Sequence, residues 1–444
     1  MHHTSGLRDD LTLWILSGNS IEDVITQNDL LALVQTQNQL NFPPGSKYGY
    51  SDTNYDLAAE IVSVVAGESF ARWTERNIFI PLGMTSSQFV DDHAMLIENR
   101  ARCYEKNDSG QYRNVTLNMG WVGSSGMHTT LRDMTRWLAN FETRQVGGEE
   151  VFNALLTPGV LNTGEHIAYA RGVRIDEHHG RKVITHSGTN GGFSCHMSYF
   201  PEDRLGVVIL SNCPSNPWDM AAKVADLFLH RSTSDQCVPD TNANRRVDQV
   251  PSERIRTTLT GNQLAACCGS FWYKDTWNWL VRDVVAEDGK LYYVRSRESL
   301  AELVPFSSTE FELAGEGHVV VRFSENMDGR FTTLTFDATS AEPLQAVRVE
   351  RVAPTEQQLK EYEGLYYAKE LDALNRLTAR GGELYNGKFR YAPEAPWVPV
   401  TSDRFVFMDH DGHVSFLRDG RGRISGYVID FPRAENILFE KLKE

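Results

Sequence analysis

Residues 42–52, Phe-Pro-Pro-Gly-Ser-Lys-Tyr-Gly-Tyr-Ser-Asp, are the stretch of this 444-residue chain that points most directly to its fold. A Pro-Pro-Gly sequence is typical of a turn, and apolar residues with helical spacing follow it over residues 55–67. The sequence therefore predicts that Tyr50 lies in a turn immediately before a helix. Taken alone, such a tyrosine is either a packing residue or a functional one.

A second stretch, Thr-His-Ser-Gly-Thr-Asn-Gly-Gly-Phe at residues 185–193, ends a predicted strand and leads into a Gly-rich turn. The other patterns in the first half predict strands at 183–185, 193–200 and 205–211 and helices at 129–141 and 218–230. Because these elements alternate without regular βαβ spacing, we expect an α+β fold in which helices cover an antiparallel sheet. His186 alone is either a hydrogen-bonded structural residue or a functional one.

The composition excludes several classes of protein. The 59 Asp and Glu residues outnumber the 44 Lys and Arg residues, which gives a net charge of −15. This acidic balance argues against nucleic acid as a partner. No apolar run approaches the ~20 residues of a membrane helix, so no membrane span is predicted. The 9 Trp, 16 Tyr and 21 Phe residues argue against disorder.

The six cysteines show no C-x-x-C spacing, which gives no support to a zinc site or a disulfide framework. We predict free thiols, and no metal or other cofactor. Free thiols favour a reducing compartment, which leans towards a cytoplasmic location. Residues 1–7, Met-His-His-Thr-Ser-Gly-Leu, lack the basic and apolar regions of a signal peptide.

The second half of the chain contains an internal repeat after a polar segment, residues 231–258, which is predicted to be a linker. Four matches recur at offsets of 93 to 95 residues, among them Gly269-Ser-Phe-Trp-Tyr273 with Gly364-Leu-Tyr-Tyr367. Short alternating runs separated by Gly and Asp turns are typical of antiparallel barrels. We therefore predict one β-barrel at 259–352 and a second at 355–444.

Taken together, the motifs of residues 1–230 resemble those of the serine β-lactamase and penicillin-binding protein family, in its class C, D,D-peptidase, esterase and D-aminopeptidase branch. The motifs are His3-Thr-Ser-Gly-Leu7, then FPPGxxYxYS, then Pro81-Leu-Gly-Met84, then HSGxxxGF, in the order that the family uses. The two barrels favour the D-aminopeptidases, because these relatives also have two C-terminal antiparallel barrels. The resemblance implies a β-lactamase-like domain at 1–230.

The resemblance also implies roles for individual residues. Tyr50 would share the work of activating a serine nucleophile, and His186 would orient the substrate and complete the proton network. The implied substrate-binding residues are Asp52, Ser187, Gly188 and Thr189, with the Thr189 backbone N–H as an oxyanion donor. Asp52 stands where the family has Asn, and a carboxylate can only accept hydrogen bonds, which weakens the case for penicillin-type recognition.

The family's Ser-x-x-Lys motif, which holds the nucleophile, occurs nowhere in the 444 residues. Because that motif precedes the His-Thr-Ser-Gly-Leu stretch in the family, we expect this chain to be an N-terminally incomplete family member that is inactive as it stands. The expected function is hydrolysis, through an acyl-enzyme, of small amides, D-amino-acid peptides or esters. The alternatives are a non-catalytic penicillin-binding-like protein and a β-lactamase or D,D-carboxypeptidase. The implied partner is a small-molecule or short-peptide substrate, and a homodimer stays open.

Overall fold

The structure, a computed structural model, describes residues 1–107, 110–229, 256–273, 281–296, 299–314, 319–338, 343–387, 396–407 and 412–443. These residues belong to two units, Met1–Asp235 and Gln236–Glu444. The first unit mixes helices with strands and the second consists mainly of strands, so the predicted α+β fold is confirmed. The linker predicted at 231–258 lies outside the described residues except for its last three positions.

The first unit contains most of the helices. They are α1 (Asp10–Leu16), α2 (Gln27–Gln35), α3 (Thr53–Ala66), α4 (Phe70–Thr74), α5 (Ile80–Leu82), α6 (Leu131–Thr143), α7 (Gly148–Leu155) and α8 (Pro217–Phe228), with a π-helix at Glu75–Phe79. The predicted helix at 55–67 is α3, which ends because Gly67 adopts a left-handed φ of 68°. The predicted helix at 129–141 is α6, whose N-cap Thr130 accepts a hydrogen bond from the Asp133 backbone N–H.

Short strands precede the main sheet of this unit. They are β1 (Ile25–Thr26), β2 (Gln88–Phe89), β3 (Cys103–Lys106), β4 (Tyr112–Val115), β5 (Met119–Gly120) and β6 (Met127–His128), which pair as β1 with β5, β2 with β6 and β3 with β4. The main sheet is formed by β7 (Arg174–His178), β8 (Arg181–Asn190), β9 (Phe193–Phe200) and β10 (Leu205–Ser211). It is antiparallel throughout, in the order β10-β9-β8-β7.

Helices cover both faces of the main sheet because successive residues of a strand point to opposite faces. Ile184 and Tyr199 belong to a core with residues of α6 and α7, including Leu138, Phe141 and Phe152. Their chain neighbours Val183 and Phe200 belong instead to a core with Ala221 and Ala225 of α8. Along each strand of the sheet, alternate side chains therefore face α6 and α8.

The second unit consists of two closed eight-stranded antiparallel barrels, as the repeat predicts. The first contains β11 (Gly269–Trp272), β12 (Val281–Glu287), β13 (Lys290–Ser296), β14 (Ser299–Pro305), β15 (Glu310–Leu313), β16 (Val319–Met327), β17 (Arg330–Ala338) and β18 (Leu344–Val349). The second contains β19 (Gly364–Ala368), β20 (Ala373–Arg380), β21 (Glu383–Asn386), β22 (Pro396–Thr401), β23 (Arg404–Phe407), β24 (Gly412–Arg418), β25 (Ile424–Phe431) and β26 (Ala434–Lys441). Pairing of the first strand with the last closes each barrel.

The two barrels begin in the same way. A short helix precedes each first strand, α9 (Gly261–Cys267) in one copy and α10 (Glu356–Leu359) in the other, the latter followed by a 3-10 helix at Lys360–Tyr362. Thr260 and Thr355 form capping boxes with the glutamines three residues further along. Gly269 and Gly364 then open the first strands at φ values of 150° and 143°. The residues matched by the sequence repeat thus occupy equivalent positions.

Two further expectations concern the whole chain. Cys103, Cys195, Cys213, Cys267 and Cys268 are free thiols, and Cys237 lies outside the described residues. Within the part of the chain that the structure describes, no helix is both long enough and apolar enough to cross a membrane.

Candidate active site

The turn at residues 42–52 folds back onto the first residues of the chain. The Gly49 N–H donates to the His3 carbonyl at 2.7 Å, and the Gly45 N–H donates to the Thr4 carbonyl at the same distance. A Cβ at Gly49 would lie 2.3 Å from the Phe42 ring, so glycine is required for this ring to lie against the turn. These contacts fix the backbone immediately before Tyr50.

Tyr50 belongs to an aromatic cluster that is formed by distant parts of the chain. The cluster contains His3, Tyr48, Tyr50, Tyr55, Tyr169 and His186. The Tyr50 ring stacks on the buried His3 ring with centroids 4.1 Å apart, and the His186 ring lies 6.5 Å from it. The structure therefore brings together the two residues that the sequence predicts as catalytic.

Tyr169 joins the two predicted catalytic residues. Its ring meets that of Tyr50 edge-on at 6.1 Å, and its hydroxyl shares a 3.1 Å hydrogen bond with His186 Nε2. Burial raises the pKa of Tyr169, and burial also lowers the pKa of His186, with the nearby Arg174 lowering it further. Both groups are therefore uncharged at neutral pH, and His186 is held as a neutral imidazole.

The predicted residues of the second motif divide between the two faces of β8. His186 lies on the same face as Ile184, towards the aromatic cluster. The Ser187 hydroxyl points to the other face, where it hydrogen-bonds His196 Nδ1 at 2.8 Å. His196 is 2% exposed and also contacts Thr185 and Ser198, and burial lowers its pKa to about 4. The Ser187 side chain therefore lies on the face of the sheet that α8 covers.

The backbone of β8 has an open edge beside His186. The strand β7 pairs with β8 only from Arg181 to Thr185, and no other described strand pairs with β8 on that side. Asn190 and Phe193 flank the two-residue turn between β8 and β9, so their backbone groups hydrogen-bond each other. In the next pair, Thr189 and Ser194, the backbone N–H and C=O groups point away from the partner strand. The N–H groups of Ser187 and Thr189 therefore point to the open edge. Gly188, between them, would place a Cβ 3.0 Å from Cys195 Sγ.

Asp52 lies at the N-cap of α3, and its backbone N–H donates to Asp9 Oδ2 at 2.8 Å. Two further carboxyls, Asp10 and Asp56, lie behind it, are buried and are joined by a side-chain hydrogen bond; we call them the carboxyl pair. Burial raises the pKa of Asp10 strongly, and burial raises that of Asp56 to about 6. Asp52 therefore lies in an acidic environment two residues from Tyr50.

A loop after β5 connects the carboxyl pair to the end of β8. The Ser124 N–H donates to Asp56 Oδ1 at 2.8 Å, and its hydroxyl donates to Asp56 Oδ2 at 3.0 Å. The Asn190 Nδ2 group donates to the neighbouring Ser125 hydroxyl at 2.7 Å. This loop therefore fixes the start of α3 relative to the open edge of β8.

The sequence analysis did not predict Tyr169, Asn190 or the carboxyl pair as parts of the site. Tyr169 lies in a loop that carries no motif, and only its tertiary contacts distinguish it from the other tyrosines. His3 belongs to a motif that the analysis used, but no role was predicted for it. The Ser-Ser sequence at 124–125 gives no signal either, because serine pairs are common in loops.

Comparison with known proteins gives one family. The sequence model of the Beta-lactamase family matches residues 1–232, which is just over half of the chain. A D-aminopeptidase from Gluconobacter oxydans (strain 621H) is 25% identical over 387 residues, which cover 87% of this chain and 68% of that protein. A D-aminopeptidase from Brucella anthropi is 22% identical over 468 residues, covering 100% of this chain and 80% of that protein.

Among solved structures, the penicillin binding protein from Bacillus halodurans matches part of this chain. The two chains are 25% identical with a TM-score of 0.45, and the match covers 51% of this chain and 70% of that one.

Proposed function

The chain belongs to the Beta-lactamase family, and on that premise we propose that its first unit contains the substrate-binding side of a serine hydrolase site. The proposed substrates are small amides, short peptides of D-amino acids, or esters. The observation that supports this most directly is the convergence of Tyr50 and His186 on one aromatic cluster, next to the open edge of β8. The D-aminopeptidases that resemble this chain over both of its units support the choice of D-amino-acid substrates.

We propose that the open edge of β8 holds the reacting carbonyl group. Backbone N–H groups that are fixed in a strand stabilise a developing oxyanion at no cost in reorganisation, and the Thr189 N–H points to that edge. His186 lies on the adjoining face and is positioned by Tyr169, so it orients a substrate as a neutral hydrogen-bonding group. Ser187 and Gly188 are proposed to act through their backbone groups, and the hydrogen bond between the Ser187 hydroxyl and His196 Nδ1 holds this backbone in place.

The charges around the site favour a substrate with a free amine. His186 is neutral, and Arg174, the cation that lowers its pKa, is paired with Asp176 at 3.1 Å. The Asp52 carboxylate lies two residues from Tyr50, and its negative charge is among the causes that raise the pKa of the buried Asp10. A ligand ammonium group would be attracted to this side, whereas the carboxylate of a penicillin-type ligand would be repelled.

Activation of a nucleophile is the step for which this sequence offers neither the serine nor the lysine. A serine hydroxyl requires a base within hydrogen-bond reach, and the family supplies the serine and a lysine in Ser-x-x-Lys, which none of the 444 residues form. We therefore propose that Tyr50 is placed to share the base's work but that the 444-residue chain does not complete the reaction. Loss of the nucleophile removes on the order of 10⁶ in kcat from such hydrolases.

Covalent labelling tests the catalytic part of the proposal. The purified 444-residue chain is incubated with a fluorescent phosphonate, and its hydrolysis of D-alanine p-nitroanilide and p-nitrophenyl acetate is followed. We expect no labelled serine and no turnover above the buffer rate. Labelling of one serine, mapped by mass spectrometry, would show that the chain has a nucleophile that the sequence does not reveal.

Ligand binding tests the substrate-binding part of the proposal separately. We expect D-alaninamide to bind the chain in isothermal titration calorimetry, and Tyr50→Phe or His186→Asn to weaken binding. Tyr112→Phe is the matched control, because Tyr112 is 59% exposed in the β3–β4 hairpin. Equal affinity in all four proteins would contradict the assignment of the site.

A second candidate function is that of a non-catalytic penicillin-binding-like protein. The observation that favours it is the absence of Ser-x-x-Lys from a chain that keeps Tyr50 and His186 together. Titration with D-alaninamide and with benzylpenicillin distinguishes the two ligand classes. A preference for benzylpenicillin would contradict the charge argument above.

A further inference from the structure

Two histidines and one carboxylate meet on the surface of the first unit, at the turn end of the β7–β8 hairpin. His178 ends β7, His179 follows it in the turn, and Asp226 belongs to α8. Their coordinating atoms, one from each side chain, all lie within 4.8 Å of one another. None of the three residues has a role in the proposed hydrolase site, so this cluster requires a separate explanation.

The turn places the two adjacent histidine side chains side by side. His179 and Gly180 have φ values of 51° and 77°, and two positive φ values are typical of a type I′ turn. The rings of His178 and His179 lie with their centroids 4.2 Å apart. Histidine, like asparagine and aspartate, is enriched at positive φ among the non-glycine residues, so this turn accommodates His179 beside His178.

The third group is brought to the histidines by the packing of α8. Ala221 and Ala225 of α8 are buried against Val183, Phe200 and Val207 of the sheet. This contact places Asp226 Oδ1 at 2.7 Å from His178 Nε2 and at 3.3 Å from His179 Nε2. The His178 ring is further held edge-on against Phe200, with centroids 5.9 Å apart. Two of the three groups are therefore fixed by the core of the unit.

The cations nearby do not neutralise Asp226. Lys223, one turn earlier on α8, pairs with Asp219 at 2.7 Å, and Arg181 in the hairpin pairs with Asp203. Within the described part of the chain, the ion-pair partners of Asp226 are His178 and His179. The carboxylate thus faces two imidazoles, which is a donor set that suits zinc and related ions.

We propose that His178, His179 and Asp226 bind one divalent transition-metal ion of the zinc class. A tetrahedral ion with ligands at about 2.0–2.2 Å holds its ligand atoms ~3.3–3.6 Å apart, so small side-chain rotations convert the observed cluster into a binding site. The exposed fractions of 19%, 67% and 47% for the three side chains leave the fourth position to water. The ion would join the β7–β8 hairpin to α8 and so stabilise the sheet beside β8.

Metal titration of the full-length chain tests this proposal. The chain is freed of metal with a chelator and titrated with Zn²⁺ in a calorimeter, and Co²⁺ absorption spectra report whether the ligands are nitrogen and oxygen or the thiols of the cysteines. Two variants remove a ligand with little change of shape. His179→Asn keeps a residue that tolerates the left-handed turn, and Asp226→Asn removes only the charge.

The matched control is His93→Asn. His93 lies beside Asp92, with 3.9 Å between Nδ1 and Oδ1, and its side chain is 37% exposed, but the pair belongs to no three-residue cluster among the described residues. We expect one Zn²⁺ per wild-type chain and per His93→Asn chain. In His179→Asn and Asp226→Asn we expect affinity to fall by at least the about 10–100-fold that loss of a second-shell partner costs.

Melting curves give a second measurement. Zn²⁺ should raise the melting temperature of the wild type and of His93→Asn, and at the same concentration should raise that of the two ligand variants less. Absence of stoichiometric binding to the wild type would overturn the proposal. Unchanged affinity in both ligand variants, or a thiol signature in the Co²⁺ spectrum, would overturn it as well, because the metal would then be bound elsewhere.

Discussion

The carboxyl pair should make the stability of the first unit depend on pH, and Asp56→Asn should remove the part of that dependence that belongs to Asp56. Asp56 Oδ1 accepts the Ser124 N–H at 2.8 Å, and the same side chain is hydrogen-bonded to Asp10. An asparagine can keep both contacts, because its oxygen accepts from Ser124 and its amide N–H donates to Asp10. The substitution therefore replaces the ionisable group with a neutral one of the same shape.

The size of the effect follows from the raised pKa of Asp56. Burial raises this pKa to about 6, against 3.8 in the unfolded chain. A raised pKa stabilises the folded state below pH 3.8, and this contribution is lost as the pH rises through about 6. Ionisation of Asp56 in the folded state then costs about 1 kcal/mol at pH 4.5 and ~3 kcal/mol at pH 7.5. The advantage of Asp56→Asn should grow by ~2 kcal/mol between these pH values.

Scanning calorimetry of the full-length chain measures this difference, because two units that unfold separately give two transitions. A change of ~2 kcal/mol corresponds to roughly 4–8 °C in the melting temperature of a unit of this size. Asp219→Asn is the control, since Asp219 is 48% exposed on α8 and paired with Lys223. A gain for Asp56→Asn that is equal at pH 4.5 and 7.5, or a loss at pH 7.5, would refute the argument that burial makes the ionisation of Asp56 unfavourable.

Three other substitutions test the site and the barrels. Tyr169→Phe removes the hydroxyl that hydrogen-bonds His186, so D-alaninamide binding should weaken by ~1 kcal/mol in calorimetry, and unchanged affinity would exclude a positioning role. Thr260→Ala and Thr355→Ala each remove a capping box, and each should lower the unfolding free energy of the second unit by ~1 kcal/mol in urea; clearly unequal losses would contradict their equivalence. Gly364→Ala adds a side chain at a φ of 143° and should cost ~1–3 kcal/mol, measured as a lower melting temperature of the same unit.

The barrels could be predicted from the sequence because each depends on local signals that occur twice. Gly269 and Gly364 mark the first strands, and Gly289 and Gly382 lie in hairpin turns with φ values of 77° and 79°. A left-handed turn residue is required by the turn itself and does not depend on distant contacts. The repeat therefore revealed both the positions of these turns and the number of barrels.

The first unit was predicted where an element carries its own pattern or end signals, and β9 and β10 match the strands predicted at 193–200 and 205–211. Helix α3 has Gly67 at its end, and α6 has the Thr130 cap at its start. Strand β7 was not predicted, because Ile175 is the one apolar residue among Arg-Ile-Asp-Glu-His and no alternation is visible. Its pairing with β8 stabilises it instead, which is a contact that the sequence pattern does not contain.

Site residues that depend on long-range contacts could not be predicted for the same reason. Tyr169 acquires its role from the approach of His186, and the Asp10 carboxyl from the approach of α3. Carboxylates are rarely buried, so a sequence with Asp9 and Asp10 at a helix start predicts solvated charges. The structure buries both, with 1% exposure each, because the backbone and hydroxyl groups around them supply hydrogen bonds.

The His186-Ser-Gly188 segment shows which features of the proposed site follow from the sequence and which follow from the fold. Because the period of a strand is two, the sequence alone places His186 and Asn190 on one face of β8 and Ser187 and Thr189 on the other. The face that carries the proposed site is identified by the packing of the aromatic cluster against His186 and of His196 against Ser187. The backbone groups of Ser187 and Thr189 nevertheless point to the open edge, since β7 ends its pairing at Thr185. The residue at position 187 can therefore contribute its backbone to the proposed site and its side chain to the core. Its side chain is free to vary as long as it hydrogen-bonds His196.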